Sequence, residues 1–183
     1  MSELIIKCTY LENGKLIERK RILPEGITSI AECAFAERTK LIRVEIPEGA
    51  TTIGYGAFRD CINLTEVIIS STVAKIGEFA FFRCENLTEV LISNGVVTIS
   101  YGAFNRCTNL AKVTIPESIT EVGEFAFYKC ENLTKVNIPR GVARIGENAF
   151  NGCTKLSDIT VFKNTKLGRD AFFGNYNKIR YSA

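Results

Sequence analysis

Apolar residues return along the chain every 23 residues, and polar residues fill most of the positions between them. Four apolar columns keep this register without insertion or deletion: one of isoleucine or valine, one of phenylalanine, one of leucine and one of cysteine. These columns are Ile30, Ile53, Ile76, Ile99, Val122 and Ile145; Phe35, Phe58, Phe81, Phe104, Phe127 and Phe150; Leu41, Leu64, Leu87, Leu110, Leu133 and Leu156; and Cys61, Cys84, Cys107, Cys130 and Cys153. A fixed period of this length predicts a stack of similar coils that share one core.

Each repeat reads as a strand, a second short extended piece and a turn. Residues 64–69 have the composition and alternation of a strand, and the proline that follows the strand in some repeats, as at Pro116, marks its end. Residues 51–53 read as the second extended piece. Residues 54–61 have apolar spacings of three and four, which predict one or two turns of α-helix or 3₁₀-helix.

The whole chain, residues 1–183, is predicted to be one domain of about seven coils whose strands form a parallel sheet. Residues 1–21 depart from the repeat and read as a hairpin-like cap, with Asn13 and Gly14 at its turn. The regular repeats occupy residues 22–159. Residues 160–183 read as a degenerate last coil and the C-terminal end.

Neighbouring repeats alternate at one position of the turn. Tyr-Gly at residues 55–56 and 101–102 alternates with Glu-Phe at residues 78–79 and 124–125. This alternation indicates duplication of a two-coil unit. It also predicts that a bulky phenylalanine lies beside a glycine of the next coil, which avoids crowding on the outer face.

One repeat carries the pattern of a known family particularly clearly. Its matching pieces are Ile115-Pro116, Val122-Gly123-x-x-Ala126-Phe127, Cys130 and Asn132-Leu133-Thr134-x-Val136. With these motifs, residues 22–181 resemble the BspA-like, or Treponema pallidum type, leucine-rich-repeat family. The resemblance implies a right-handed curved solenoid with the strands on the concave side and short helical turns on the convex side. It also implies a surface or secreted protein, because members are mostly of that kind and several are regarded as adhesins.

Composition removes several functional classes. The chain has no histidine, which excludes Ser-His and Cys-His nucleophile pairs, and no polar cluster points to an enzyme or to a cofactor. A net charge of +3 is too small to favour nucleic acid, and no apolar run is long enough to span a membrane. The first residues lack the features of a signal peptide, which leaves open a cytoplasmic location or a leader outside this sequence.

Three residue types allow a functional and a structural interpretation. The cysteine column could form disulfides or bind metal, but the absence of Cys-x-x-Cys favours reduced, metal-free core residues. Asn63, Asn86 and Asn132 begin glycosylation sequons, but their regular spacing favours turn residues that bond local backbone. Glu66 and Glu89 could be the paired carboxylates of a glycosidase, but they read more simply as two solvated copies of one position.

The positions that flank the valine of each strand are predicted to face outward on the concave sheet. One such column changes sign from acidic to basic, and the other contains an apolar pair, Ile68 and Leu91, where other repeats are polar. The predicted binding residues are Arg43, Glu66, Ile68, Glu89, Leu91, Lys112, Thr114, Lys135 and Asn137. Scattered surface aliphatic residues are the simpler alternative for the pair.

The sequence therefore predicts a binding module whose partner is a protein, such as a matrix or cell-surface protein, or a glycan. The alternative is a structural spacer, a repeat segment of a larger protein with no binding site of its own. The chain is expected to be a monomer with no metal and no membrane insertion.

Overall fold

A computed structural model describes residues 4–23 and 27–183, and within these ranges the strands form two sheets that run along a solenoid. The larger one, the main sheet, has nine strands in the order β16-β14-β12-β10-β8-β6-β4-β1-β2. Its strands are β1 Leu4–Glu12, β2 Lys15–Leu23, β4 Leu41–Ile46, β6 Glu66–Ile69, β8 Glu89–Ile92, β10 Lys112–Val113, β12 Lys135–Asn137, β14 Asp158–Phe162 and β16 Ile179–Ser182. From β4 to β16 every pairing is parallel, as the 23-residue register predicts.

The second sheet consists of short strands, one from each coil, that also pair in parallel. They are β3 Ser29–Ile30, β5 Thr52–Ile53, β7 Lys75–Ile76, β9 Thr98–Ile99, β11 Glu121–Val122, β13 Arg144–Ile145 and β15 Lys166–Leu167. Each coil thus has three sides: a strand of the main sheet, a strand of the second sheet, and a turn segment that leads back to the main sheet. The prediction of a repeat solenoid with about seven coils is confirmed.

The turn segments differ from the predicted helical turns. In residues 54–61, Ala57, Arg59 and Cys61 each donate a backbone hydrogen bond to the carbonyl three residues earlier, and Phe58 donates instead to Ala80 of the next coil. The segment is therefore a succession of turns that is hydrogen-bonded to the equivalent segment of the next coil. The prediction of helical turns is wrong for this part of the repeat. A 3₁₀-helix occurs in the described chain at Tyr176–Lys178, in the irregular last coil.

The N-terminal strands cover one end of the stack. β1 and β2 form an antiparallel hairpin, and Asn13 and Gly14 adopt positive φ angles of 50° and 75° at its turn. β1 then pairs antiparallel with β4, the first parallel strand of the main sheet. β2 ends at Leu23, two residues beyond the expected end of the cap. This hairpin satisfies the backbone groups of an edge that stacking alone would leave open.

The phenylalanine column is a continuous stack in the core. All six rings predicted to be buried are buried, Phe35 at 7% exposure and the other five at 0%, and Phe172 adds a seventh. Neighbouring ring centroids lie 4.8–5.3 Å apart with the planes within 11° of parallel. The coil spacing of about 4.8 Å imposes this face-to-face geometry, because each ring repeats the position of the one below it.

The cysteine column lies beside the phenylalanine stack and is buried, as predicted. Each thiol donates a hydrogen bond of 3.0–3.3 Å to the backbone carbonyl of a phenylalanine in the preceding coil. The carbonyl of Phe58 accepts both the N–H of Cys61 and the thiol of Cys84. Cysteine is small enough for this site and still supplies the donor that a buried carbonyl needs.

This burial predicts a sharp difference in thiol reactivity. Cys33 is exposed, whereas Cys8 and the five cysteines of the column are buried. Burial also raises the pKa of Cys61 and of Cys153 to about 12, so their reactive thiolate forms are scarce at neutral pH. A thiol reagent should modify one cysteine, Cys33, in the native protein and seven after denaturation. Intact-mass spectrometry counts both, and two or more masked thiols after denaturation without reductant would contradict the reduced column.

Candidate functional site

The outer face of the main sheet contains every residue predicted to contact a partner. In the six coils from β4 to β14, the valine or isoleucine of each strand points into the core and its two neighbours point outward. None of the predicted residues belongs to the core. Arg43, Glu66, Ile68 and Glu89 are half-buried, and the exposed ones are Leu91, Lys112, Thr114, Lys135 and Asn137.

The apolar pair lies where neighbouring parallel strands of the main sheet pair over four residues. Ile68 of β6 and Leu91 of β8 are directly paired in register, and Leu91 is 43% exposed. β6 pairs with each of its neighbours β4 and β8 over four residues. Two aliphatic side chains are therefore presented side by side on a rigid backbone, which is the arrangement of a small apolar contact site.

Serine in place of proline explains why β6 and β8 pair so extensively. Ser70 and Ser93 occupy positions that hold a proline in other coils, such as Pro116. The N–H of Ser93 donates to the carbonyl of Ile69, and the hydroxyl of Ser70 donates to the carbonyl of Pro47 at 2.8 Å. Proline has no N–H and cannot make the first of these bonds. The ladder to the preceding strand is accordingly short at β10 and β12, which lead to Pro116 and Pro139.

A groove opens in the main sheet where β10 reaches such a proline. β10 pairs with β12 only at Lys112 and Lys135, and among the described residues no backbone hydrogen bond joins Thr114 or Ile115 to either neighbouring strand. The resulting groove has a volume of about 490 Å³. It is lined by Ala111, Lys112, Val113, Thr114, Ile115, Thr134, Lys135 and Asn137.

The groove has an apolar floor and a polar rim. Val113 and Ile115 are each 6% exposed, whereas the corresponding residues Val67 and Ile69 are fully buried. Thr114 and Asn137 are exposed above them. The sequence pattern had marked Thr114 and Asn137 as candidates but had assigned the floor residues to the core. The proline at position 116 was the available signal, since it shortens the strand.

Ion pairs on the outer face of the main sheet neutralise much of the charge in the column that changes from acidic to basic. Glu66 contacts Arg43 at 3.4 Å, Glu89 contacts Lys112 at 3.2 Å, and Lys135 contacts an aspartate of the next coil at 2.8 Å. The column that changes sign from Glu66 and Glu89 to Lys112 and Lys135 is thus largely paired within the molecule. Exposed pairs of this kind contribute little stability, and a partner can compete for them.

The paired-carboxylate interpretation of Glu66 and Glu89 finds no support in their surroundings. The two residues are neighbours in register, as expected, but each carboxylate binds a basic side chain on its far side, Arg43 and Lys112 respectively. They are copies of one exposed position and do not converge on a common cleft. Catalytic carboxylates of glycosidases flank a bound sugar and differ in environment.

The asparagines of the sequons form a ladder from coil to coil. The side-chain amide of Asn86 donates to that of Asn63 at 3.1 Å, that of Asn109 to Asn86 at 3.2 Å, and that of Asn132 to Asn109 at 3.0 Å. Asn63 itself donates to the backbone carbonyl of Thr39 in the preceding coil at 2.9 Å. The expected local backbone bonds are thus replaced by bonds between coils. Because the asparagines are 23 residues apart, their side chains form a hydrogen-bonded column on the surface of the turns.

Comparison with known proteins agrees with this architecture. The family model described as the BspA type leucine-rich-repeat region matches residues 10–107 and 75–181, with six copies of the repeat. No curated protein matches the chain by sequence. Within the described residues, 4–23 and 27–183, the structure contains no helix that is long and apolar enough to cross a bilayer.

Two solved structures are similar in both fold and sequence. A leucine-rich-repeat protein of T. pallidum superimposes with a TM-score of 0.73 and 28% identity, over 79% of this chain and 69% of that one. A leucine-rich cell surface protein of Faecalibacterium prausnitzii A2-165 superimposes with a TM-score of 0.61 and 30% identity, over 77% of this chain. The chain spans 35% of the length of that second protein.

Proposed function

Because the chain belongs to the BspA-type leucine-rich-repeat family, we propose that it binds a partner protein through the outer face of the main sheet. The proposed contact surface extends from the apolar pair, Ile68 and Leu91, to the groove beside Lys112 and Lys135. A role in adhesion at a cell surface is part of the proposal. It is supported by the family and by the similarity to the cell surface protein of F. prausnitzii.

The observation that carries the proposal is the position of Leu91, a 43% exposed leucine at the centre of the main sheet. Apart from its neighbour Ile68, the outward positions flanking the valine in strands β4 to β12 are polar or charged. Binding energy in protein interfaces concentrates at central apolar residues, with a polar rim that excludes water. Glu89 and Lys112 are placed to form such a rim beside this leucine. The groove adds a recess for one side chain of the partner next to a flat apolar contact.

The test compares binding by the native chain and by a variant with Ile68→Asp and Leu91→Asp. Immobilised native protein is incubated with purified extracellular-matrix proteins and with surface extract of the source organism, and the affinity for each captured protein is then measured. The double variant should weaken binding at least about 100-fold, because two carboxylates would be desolvated against the partner. Circular dichroism should show an unchanged fold, since Leu91 is exposed and Ile68 points away from the core.

The matched control is Val97→Asp. Val97 is 42% exposed, as Leu91 is, but it lies just before the second sheet, away from the proposed surface. It should leave the affinity unchanged. Equal binding by the native chain and the double variant would contradict the proposed surface. Capture of no partner by the native chain would favour the spacer alternative, which the internal pairing of Glu89 with Lys112 also fits. Capture of a glycan in place of a protein would retain the surface and change the partner class.

A further inference from the structure

Six aromatic rings form a continuous stripe on the turn side of the coils, away from the main sheet. Ring centroids of neighbouring coils lie 5.9 Å apart for Tyr55 and Phe79, 5.2 Å for Phe79 and Tyr101, and 5.5 Å for Tyr101 and Phe125. Two further rings branch from the phenylalanines at 5.5–5.6 Å. The aromatic stripe consists of Tyr55, Phe79, Phe82, Tyr101, Phe125 and Tyr128.

The stripe faces solvent. Tyr55 is 41% and Tyr101 39% exposed, and the other four rings are half-buried. The buried phenylalanine stack lies on the inner side of the same turns, so these outer rings are not needed to fill the core. An apolar patch of this extent on a soluble surface is typical of an interaction site.

The backbone beneath the stripe is unfavourable for the residues it holds. Phe79 and Phe125 adopt left-handed φ angles of 53° and 55°. Other coils hold Cys33, Gly56, Gly102 or Asn148 at this position, and glycine and asparagine tolerate that conformation better. The left-handed conformation recurs at this position in the coils from residue 33 to residue 148, so it belongs to the turn and does not require a bulky ring there.

Space for the strained rings is provided by the neighbouring coil. A Cβ atom added to Gly102 would lie 2.8 Å from the ring of Phe79, closer than two carbon atoms approach. The predicted packing of a phenylalanine beside a glycine is therefore present in the structure. The alternation between coils keeps the stripe continuous without steric overlap.

Charged and polar residues border the stripe on both edges. The first edge, which the chain meets on entering each turn, is formed by Tyr55, Glu78, Tyr101 and Glu124. The second edge, at the end of the turn, is formed by Asp60, Arg83, Arg106 and Lys129. The Nζ atom of Lys129 lies 5.6 Å from the centroid of the Tyr128 ring, which shows that this edge adjoins the stripe.

We infer that the aromatic stripe is the interface of a homodimer, in which a second copy of this chain packs stripe against stripe. A two-fold axis parallel to the solenoid places each coil opposite the same coil of the partner and brings the first edge of one copy over the second edge of the other. The facing pairs are then Tyr55 with Asp60, Glu78 with Arg83, Tyr101 with Arg106, and Glu124 with Lys129.

Every one of these four pairs is attractive. Two are ion pairs, one is a cation–π contact of an arginine on a tyrosine, and one is a hydrogen bond from a tyrosine hydroxyl to a carboxylate. Within the described chain, Glu78 and Arg106 form no ion pair. Asp60, Arg83 and Glu124 contact opposite charges of their own copy at 3.0–3.6 Å and would share them with the partner on association. An in-plane axis across the solenoid would instead place like edges together, Glu78 near Glu124, which is repulsive. Charge complementarity thus selects a second copy and its orientation.

The test is sedimentation velocity of the full chain from micromolar to sub-millimolar concentration. The native protein should show a reversible monomer–dimer equilibrium. Glu78→Lys and Arg83→Glu should each raise the dissociation constant at least about tenfold, because each creates two like-charged contacts in a symmetric dimer. An equimolar mixture of the two variants restores opposite charges at both contacts. It should associate within about threefold of the native affinity.

Two further variants serve as controls. One distinguishes a loss of association from a loss of folding, and the other tests whether the main sheet takes part in the dimer. Phe79→Asn should weaken the dimer while the melting temperature stays equal or rises, since asparagine tolerates the left-handed backbone. Lys112→Glu, on the main sheet, should leave the dimer unchanged. A monomer at every concentration, as the sequence alone led us to expect, would overturn the inference. A dissociation constant that is unchanged by the charge reversals would also overturn the inference. So would a mixture of the two variants that does not regain the native affinity.

Discussion

Replacing Phe104 by alanine is expected to lower the free energy of unfolding by about 3–5 kcal/mol. The ring is fully buried and is stacked between Phe81 and Phe127 at centroid distances of 5.2 and 5.3 Å. Its removal leaves a cavity that neighbouring coils cannot close, because their hydrogen bonds fix the coil spacing. Since small domains have about 5–15 kcal/mol of stability, the loss is a large fraction of the total.

Chemical denaturation followed by circular dichroism measures this loss. The matched control is Phe173→Ala, which removes the same ring from a position 60% exposed in the last coil and should cost less than about 0.5 kcal/mol. A cost below about 1 kcal/mol for Phe104→Ala would show that the stack relaxes around the gap. It would contradict the rigid column described above.

Raising the pH above about 9 is expected to destabilise the protein steeply. An unfolded thiol loses its proton near its ordinary pKa of 9.0, whereas burial raises the pKa of Cys61 and of Cys153 to about 12. The other three thiols of the column are shifted in the same direction by the same cause. Between pH 9 and pH 12 the folded state therefore binds more protons than the unfolded state.

The sign of the effect follows from this difference in bound protons. The stabilisation is complete below pH 9 and is lost as the pH rises toward the folded-state pKa values. Each thiol lowers the free energy of unfolding by about 1.4 kcal/mol per pH unit, so five together approach about 7 kcal/mol per pH unit. Urea unfolding at a series of alkaline pH values, under reducing conditions, measures the slope.

Single substitutions assign this slope to the cysteine column. Cys107→Ala should reduce it by about 1.4 kcal/mol per pH unit, while the exposed Cys33→Ala should leave it unchanged. The slope is compared because Cys107→Ala also lowers stability at neutral pH through the lost thiol volume. If both variants keep the native slope, other groups account for the alkaline unfolding.

The periodic pattern was sufficient for the core and for the order of the coils. Residues such as Phe58 and Phe81 need only lie one coil apart, and a fixed 23-residue spacing guarantees this. The turn segment was harder, because apolar spacings of three and four suit both a helix and a series of turns. The N–H of Phe58 donates to Ala80 of the next coil, and no local pattern reveals such a non-local bond.

The binding surface was predictable only as far as side-chain direction. The alternation of side chains along each strand predicted that Ile68 and Leu91 point outward, and the structure agrees. The groove was not predicted, although Pro116 was a signal that the strand is short. Its shape depends on the backbone groups of Thr114 and Ile115, which remain unpaired before that proline. The aromatic stripe is not evident from residues spaced by 23, for a different reason. Tyr55 and Phe79 occupy different positions of the repeat, so they do not form one column.

The alternation of Phe79 with Gly102 makes the length of this protein subject to a parity rule. Removing or duplicating 46 residues, two coils, again places each phenylalanine between coils that hold glycine or asparagine at this position. Removing 23 residues would instead join two coils of the same kind. Two phenylalanines would then compete for one space, or two glycines would leave it empty. Relatives that keep this alternation should therefore differ in length by even numbers of coils.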